Sequence, residues 1–344
     1  ANGTRVRFDR INPAPFFLDI GTCENLVLNA NGGDDSFSAT GNLAALIQIT
    51  VDGGAGNDTH FGGDFPLTGY PATDVASWKK IFQTYKNYGL NHMRFHSWCP
   101  PEAAFTAADE LGFYLQVEPG MWNTFNPGDA MERQLYTETE RIIRAYGNHP
   151  SFLLLSASNE PKGRWPEVLS KWAAHFRAAD PRRLYTSATG FTDANAPGPL
   201  DRVDFTVTGR IGPSRIRGET GWFGRDYSRS LTSINVPAIT HELGQWCAYP
   251  DFDVIQKLTG LPRQSGATAG FMQPGNYEIF RDSAAKHGVL EQNKEFAHAS
   301  GRFQFACYKE EIEAALRTPG IGGFQLLDLH DYTGQGTALI GLLD

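Results

Sequence analysis

The chain has 344 residues, 41% hydrophobic and 20% charged, with a formal net charge of −8 at pH 7. That length admits one barrel-sized domain plus a small extra module, and the composition is that of an ordinary globular protein. An acidic chain with no Lys/Arg run longer than a pair speaks against nucleic acid as a partner, and no stretch approaches the 18 apolar residues of a membrane-spanning helix.

Aromatic residues are plentiful, with 7 Trp, 12 Tyr and 23 Phe. They suit a large core, and their faces also suit the C–H surfaces of sugar rings. Cys23, Cys99, Cys247 and Cys307 form no CxxC pair, so packed free thiols are expected rather than a zinc site. The first residues, ANGTRV, carry no leader pattern. That suits a mature or trimmed form and leaves the compartment open, leaning to a secreted or periplasmic one.

Residues 1–61 differ in grammar from the rest. LVLNANGGDDSFSATG and IQITVDGGAGNDTHFGG each pair a short apolar run with a Gly/Asp/Asn turn, about two dozen residues apart. The second copy nearly fits the calcium β-roll nonapeptide, with Asp58 in place but His60 where an apolar residue belongs. The first keeps only Gly33, Asp35 and Phe37. The segment resembles a fragment of a calcium-binding repeat. Asp35 and Asp58 are therefore weak calcium candidates, against a plain array of Gly/Asp turns. Stacked repeats are needed to enclose ions, and fewer than two are present.

From residue 62 onward strand-like and helix-like stretches alternate. A first strand is expected near 59–67. DVASWKKIFQTYKNYG has helical spacing, with Asp74 as cap and Gly89 as stop. NHMRFH reads as a buried strand, PEAAFTAADELG as a helix ending at Gly112, and FYLQVEP as a strand ending in an acid. MERQLYTETERIIRAYGNHP is a long amphipathic helix, SFLLLSASNE a strand and WPEVLSKWAAHFRAADP a helix. RRLYTSATG, DFTVTG, VPAITHE and GGFQLLDLHD complete the strands. KEEIEAALRT reads as a solvated helix face. The long loop LPRQSGATAGFMQPGN, 261–276, is placed to close over a cleft. Repeated βα units over about 280 residues argue for an α/β fold of the (β/α)8 TIM-barrel type, residues 62–344, behind a short β-rich Gly/Asp-rich segment. A doubly wound sheet is the alternative, but no GxGxxG follows a first strand.

Catalytic groups of such barrels sit at the C-terminal ends of the strands. Those ends carry Arg94 and His96, then Glu118, then Asn159 and Glu160, then His241 and Glu242, and last Asp328, His330 and Asp331. One acid at a strand end is ordinarily solvated; a set converging on one face is a site. Glu160 and Glu242 suit double displacement at a sugar acetal if they lie about 5 to 5.5 Å apart. One attacks the anomeric carbon and the other protonates the leaving oxygen, so the acid must hold its proton near neutral pH. Trp122 and Trp246 are near enough in sequence to contribute an apolar wall.

These residues resemble the catalytic barrel of glycoside hydrolase family 2, over about residues 65–344. NHPSFLLLSASNEP is similar to that family's NHPS…NE segment, and VPAITHELGQW to its nucleophile strand. The resemblance implies Glu160 as acid/base, Glu242 as nucleophile, Asn159 on the sugar 2-OH and Arg94 orienting the nucleophile. HSWCPPEAAFTAADELGFYLQVE is similar to the passage that places Glu118 near the site. The family's usual R-x-x-H-Y-P departs here to Arg94-Phe95-His96-Ser97-Trp98, which leaves His96 or Trp98 for the usual His position. The family's accessory domains have no counterpart before the barrel.

Among smaller signals, Trp246 serves either sugar stacking or rim packing. Asp328 and Asp331 suit sugar hydroxyls better than a turn. Glu118 ligates a metal in some relatives, with an ion pair to Arg94 as the alternative. The expectation is a retaining β-glycosidase of the exo-acting β-galactosidase or β-glucuronidase type, acting on a carbohydrate and needing no organic cofactor. An endo-β-glucanase, or a non-catalytic carbohydrate-binding protein, are the alternatives.

Overall fold

The computed structural model describes residues 71–190, 202–208, 223–232, 234–244, 246, 248–257 and 275–327, together with the backbone of four N-terminal strands. Those four are β1 (Val6–Arg10) and β2 (Phe16–Ile20), paired antiparallel, and β3 (Asn25–Asn29) and β4 (Gln48–Asp52), paired parallel with Asn25 opposite Gln48. The apolar runs of the two sequence repeats are thus neighbouring parallel strands. Their Gly/Asp turns, with Asp35 and Asp58, lie outside the described residues, as do the expected first strand at 59–67 and most of the 261–276 loop.

Helix α1 (Val75–Asn87) starts where Asp74 accepts from the Ser77 amide at 2.8 Å and stops before Gly89, whose φ of 81° only glycine adopts freely. It buries Trp78, Phe82 and Tyr85, one helical stripe, with Phe82 stacked 4.8 Å from Phe113. Strand β5 (His92–Arg94) follows. Helix α2 (Glu102–Leu111) ends on Gly112 in the left-handed region and leads into β6 (Tyr114–Val117). The short β7 (Thr124–Phe125) precedes α3 (Ala130–Tyr146), which Asp129 caps through the Glu132 amide. Then come β8 (Phe152–Ser156), β9 (Lys162–Gly163), α4 (Trp165–Ala179), β10 (Leu184–Thr186) and β11 (Thr206–Thr208). The chain continues with β12 (Ala238–Gly244), α5 (Val254–Lys257), α6 (Gly275–Lys286), the 25-residue α7 (Asn293–Arg317) and β13 (Ile321–Leu327).

Two parallel sheets organise this α/β body, in the orders β10-β8-β6-β5 and β11-β12-β13. Thr189, just past β10, bridges on one side to Asn159 past β8 and on the other to Val207 of β11, and the second bridge links the two sheets. Elsewhere the two sheets meet through side chains: Gln325 of β13 donates to Gln116 of the interior strand β6 at 2.7 Å and lies 3.4 Å from His92 of the edge strand β5. Among the described residues these seven strands form two sheets rather than one continuous eight-stranded barrel, and β7 pairs separately with β9. The main core joins α1, α2, α3 and α4 to the four-stranded sheet. Phe105, Phe125, Leu115, Leu135, Leu155 and Trp172 are fully enclosed, each burial being worth about 1.5–3 kcal/mol against exposure.

One expectation about the surface is overturned. In KEEIEAALRT, Glu310 and Glu311 are buried rather than solvated. Glu310 accepts from the Gly224 amide and from Arg317, and Glu311 accepts from the Gly244 amide at 2.8 Å and from Trp246 Nε1 at 3.0 Å. The run caps the end of β12, which periodicity along one helix does not reveal.

Candidate active site

The NHPS stretch answers to β-sheet entry rather than to chemistry. His149 Nδ1 lies 2.7 Å from one oxygen of Asp109 and the Ser151 amide donates to the other at 2.8 Å, so the end of α2 fixes the start of β8. Five residues of strand then carry the chain to Asn159 and Glu160 at the opposite end, where the polar groups gather.

Arg94 is the hub. Its Nε donates to Glu118 Oε1 at 2.7 Å, its Nη2 to Asn159 Oδ1 at 2.7 Å and its Nη1 to Glu242 Oε1 at 3.3 Å. Glu118 is fully buried and both its oxygens are engaged. Thr189 Oγ1 donates at 2.6 Å to Oε1, and the Ser97 amide at 2.8 Å to Oε2. Burial opposes charge on both partners, yet their mutual attraction wins. Arg94 is raised above its ordinary value through Glu118 and then Glu242, and Glu118 is held below the usual carboxylate range chiefly by Arg94. Glu118 is therefore the ion-pair partner, with its lone pairs used by protein donors. Among the described residues no group of three or more His, Cys, Asp or Glu side chains is arranged to hold a metal ion.

Glu242 Oε1 also lies 3.1 Å from His241 Nε2 and 4.0 Å from His96 Nε2. His96 thus stands on the Glu242 side, whereas Trp98 packs on the core, its ring edge-on to Phe95 at 5.0 Å. Burial first, and then the Arg94 charge, push His96 below the ordinary imidazole value despite the opposing pull of Glu118 and Glu242, so it is neutral near pH 7. Trp122, 59% exposed, sets its ring edge-on to His96 at 5.0 Å and forms an aromatic wall open to solvent. Trp246 is tied to α7 through Glu311, which accepts from its Nε1, and through its own carbonyl, which accepts from Gln304.

Strand geometry at this end is irregular. Ser97, Glu160 and Glu242, at φ 58°, 36° and 48°, are the non-glycine residues with positive φ among those described, and all three lie at the site. In β12 the pairing with β13 also shifts register between Thr240 and Leu243. A regular strand sends consecutive side chains to opposite faces. Bulge and left-handed backbone together let consecutive His241 and Glu242 come within hydrogen-bonding reach of each other. Gly190, at φ 89°, completes the packing. A Cβ there would lie 2.8 Å from Glu160 Cγ and 2.9 Å from His241 Cε1, so Glu160 and His241 close on the same point from two strands.

Of the residues singled out from the sequence, Arg94, Glu118, Asn159 and Glu242 share one hydrogen-bonded and ionic cluster, with His96 4.0 Å from Glu242, Glu160 packed at the cluster's edge and Trp122 beside His96. Trp98 and Trp246 pack elsewhere. Asp328, His330 and Asp331 lie outside the described residues. Three contributors were not singled out: Ser97, Thr189 and Gly190. Thr189 and Gly190 end the strand RRLYTSATG, and the strand-end rule that found the others applies equally to them.

No family model matches the chain, and no curated protein does. Solved structures do. A β-glucuronidase from Bacteroides uniformis matches with TM-score 0.52 at 14% identity, over 96% of this chain and 33% of that one. The likeness is one of fold. A GH2 β-galacturonidase from Eisenbergiella tayi (TM-score 0.49, 12% identity, 94% of this chain and 46% of that one) and a β-glucuronidase from an uncultured Clostridium species (0.46, 14%, 95% and 47%) also match. The chain spans less than half the length of each of these three proteins.

Proposed function

We propose that the chain is a retaining β-glycosidase, with Glu242 as nucleophile and Glu160 as acid/base. The observation that carries the reading is the single guanidinium of Arg94, anchored on Glu118, which contacts both Asn159 and Glu242. Two consecutive pairs, Asn159-Glu160 and His241-Glu242, are thereby gathered at one place from strands far apart in sequence. Solvated strand-end acids have no need of such an anchor.

In the first step a Glu242 oxygen bonds to the anomeric carbon as the glycosidic C–O bond breaks, and the Glu160 proton passes to the departing oxygen. Arg94 and His241 keep the Glu242 carboxylate aimed and anionic before attack. Glu160, now a carboxylate, takes a proton from water, which attacks the same carbon and releases Glu242 with the sugar's configuration retained. Asn159 has its Oδ1 held by Arg94, so its amide nitrogen is the group left to meet a sugar hydroxyl, a contact that strengthens as positive charge develops on the ring. The chemistry asks for no cofactor.

Read as strands of one (β/α)8 barrel within residues 62–344, β5, β6, β8, β10, β11, β12 and β13 are seven of eight. The Thr189–Val207 bridge supports closure at the seam between β10 and β11, and the Gln325–Gln116 bond supports an approach of the two sheets on their other side. A terminal β-glucuronide is the first candidate substrate and a β-galactoside the second.

The test is turnover of a panel of aryl β-glycosides and one soluble β-glucan by wild type and by Glu160→Ala with azide. Turnover of an aryl sugar with retained configuration, and a β-glycosyl azide from the variant, are expected. Inversion of configuration, or silence on the whole panel, overturns the reading; activity on the polymer alone replaces exo with endo action.

A further inference from the structure

We propose that His241 is a positioning residue that ties the two carboxylate-bearing strands together, its Nε2–H shared between Glu242 Oε1 and Asn159 Oδ1. The inference rests on the glycosidase reading for its kinetic consequences, though not for its geometry.

His241 is 1% exposed, and its Nε2 lies 3.1 Å from Glu242 Oε1 and 3.2 Å from Asn159 Oδ1. Both neighbours are acceptors at those atoms. Arg94 donates to each of them, and a guanidinium has only donors, which identifies the Asn159 atom as oxygen. A nitrogen facing two acceptor oxygens must bring the proton, so Nε2 is the protonated ring position. The ring uses space that a side chain at Gly190 would fill, since a Cβ there would lie 2.9 Å from its Cε1 and 3.2 Å from its Nδ1. The backbone has been bent to deliver it. In a regular strand its side chain and that of Glu242 would point to opposite faces, and the register shift between Thr240 and Leu243 and the φ of 48° at Glu242 remove that alternation.

The arrangement gives His241 two simultaneous effects. It adds a second N–H donor to the nucleophile oxygen already held by Arg94, favouring its charged form. It also links that oxygen to Asn159, the neighbour in sequence of the acid/base, so the two carboxylate strands keep a fixed relation. Arg94 alone spans the same groups, but from the side of β5; His241 closes the triangle from β12 itself.

The experiment compares wild type, His241→Ala and His241→Gln on the aryl glycoside that wild type turns over. His241→Ala is expected to lower kcat about 10- to 100-fold, as loss of a supporting hydrogen bond does at tuned sites, with KM changed much less. The acidic limb of its kcat/KM profile moves to higher pH, because a carboxylate with one donor fewer protonates more readily. The other ionisable groups around the pair, Arg94, His96, Glu118 and Glu160, are the same in every variant. His241→Gln, whose amide N–H reaches the same position, restores the limb and most of the rate. An unmoved limb in His241→Ala, or a limb that Gln fails to restore, overturns the proposal. Ring-nitrogen NMR of the wild-type protein decides the geometry without turnover. A proton on Nε2 whose shift changes in Glu242→Gln supports the bridge, and a proton on Nδ1 alone overturns it, even where every glycoside is refused or His241→Ala fails to fold.

Discussion

Arg94 Nε and Glu118 Oε1 lie 2.7 Å apart at the ends of neighbouring parallel strands, with side chains 7% and 0% exposed. A pair so enclosed is costly to break from one side, because the survivor keeps an uncompensated buried charge. Glu118→Ala is expected to lose about 3–5 kcal/mol of stability, seen as a lower urea midpoint. A loss below about 1 kcal/mol, the value of an exposed pair, contradicts the buried pairing.

Gly190 sits at φ 89° against Glu160 Cγ and His241 Cε1. Gly190→Ala imposes a left-handed backbone on a residue with a Cβ, at about 1–2 kcal/mol, and pushes both side chains off their positions. Activity should fall by far more than thermal stability predicts. Equal activity in a correctly folded variant would show that the carboxylate strand ends tolerate displacement.

Trp122 is exposed at the rim beside His96, so its removal touches little of the core. Trp122→Ala should alter stability by less than about 0.5 kcal/mol while raising KM for the glycoside, with kcat nearly kept. Unchanged KM removes Trp122 from the substrate wall.

Glu311 accepts from the Gly244 amide and from Trp246 Nε1. In Glu311→Ala both donors lose their acceptor, for a cost of about 1–3 kcal/mol in each buried group left unmet. Glu311→Gln keeps an acceptor oxygen and should lose distinctly less. Thermal unfolding of the two variants makes the comparison; identical losses would mean that the hydrogen bonds at the end of β12 are not what Glu311 contributes.

His92 is pulled down to about 4 by burial, from an ordinary value of 6.5. The unfolded chain therefore binds a proton that the folded one refuses between those two values. Stability present above pH 6.5 is lost as pH falls toward 4, with a slope from this group approaching about 1.4 kcal/mol per pH unit. Glu118, held below its ordinary 4.5, acts lower: its contribution is present above 4.5 and lost as pH falls through its folded value. Urea titrations at intervals from pH 7.5 to 4 should show the His92 limb first, and His92→Leu should flatten it. A limb that survives that substitution belongs to other groups, His96 foremost.

Much of the site was legible before any coordinates. Cap residues such as Asp74, Asp129 and Gly112 state where helices begin and end through short-range hydrogen bonds and left-handed backbone, and strands ending in Arg94, Glu118, Asn159 and Glu242 are marked by apolar runs stopping at a polar group. Trp98 and Trp246 were harder. An aromatic ring serves a core and a sugar equally well, and its neighbours, Phe95 for one and Glu311 for the other, are contributed by the fold rather than by the local pattern. The acidic run in α7 misled for the same reason. Charge along a helix face suggests solvent unless something far off in the chain, here the Gly244 and Gly224 amides, comes to meet it.

The order of alternating elements and the identity of the acids at their ends were determined by the sequence itself, since propensity, capping and the stop of an apolar run are local properties. Which of those polar groups touch was decided by the tertiary structure alone. His96 rather than Trp98 beside Glu242, Glu118 consumed by Arg94, and His241 turned toward its own neighbour all depend on register shifts and positive-φ backbone that break strand alternation. Those distortions are imposed by packing between strands 70 to 150 residues apart, as in the Thr189–Glu118 and Arg94–Glu242 contacts at separations of 71 and 148, and no local pattern encodes them.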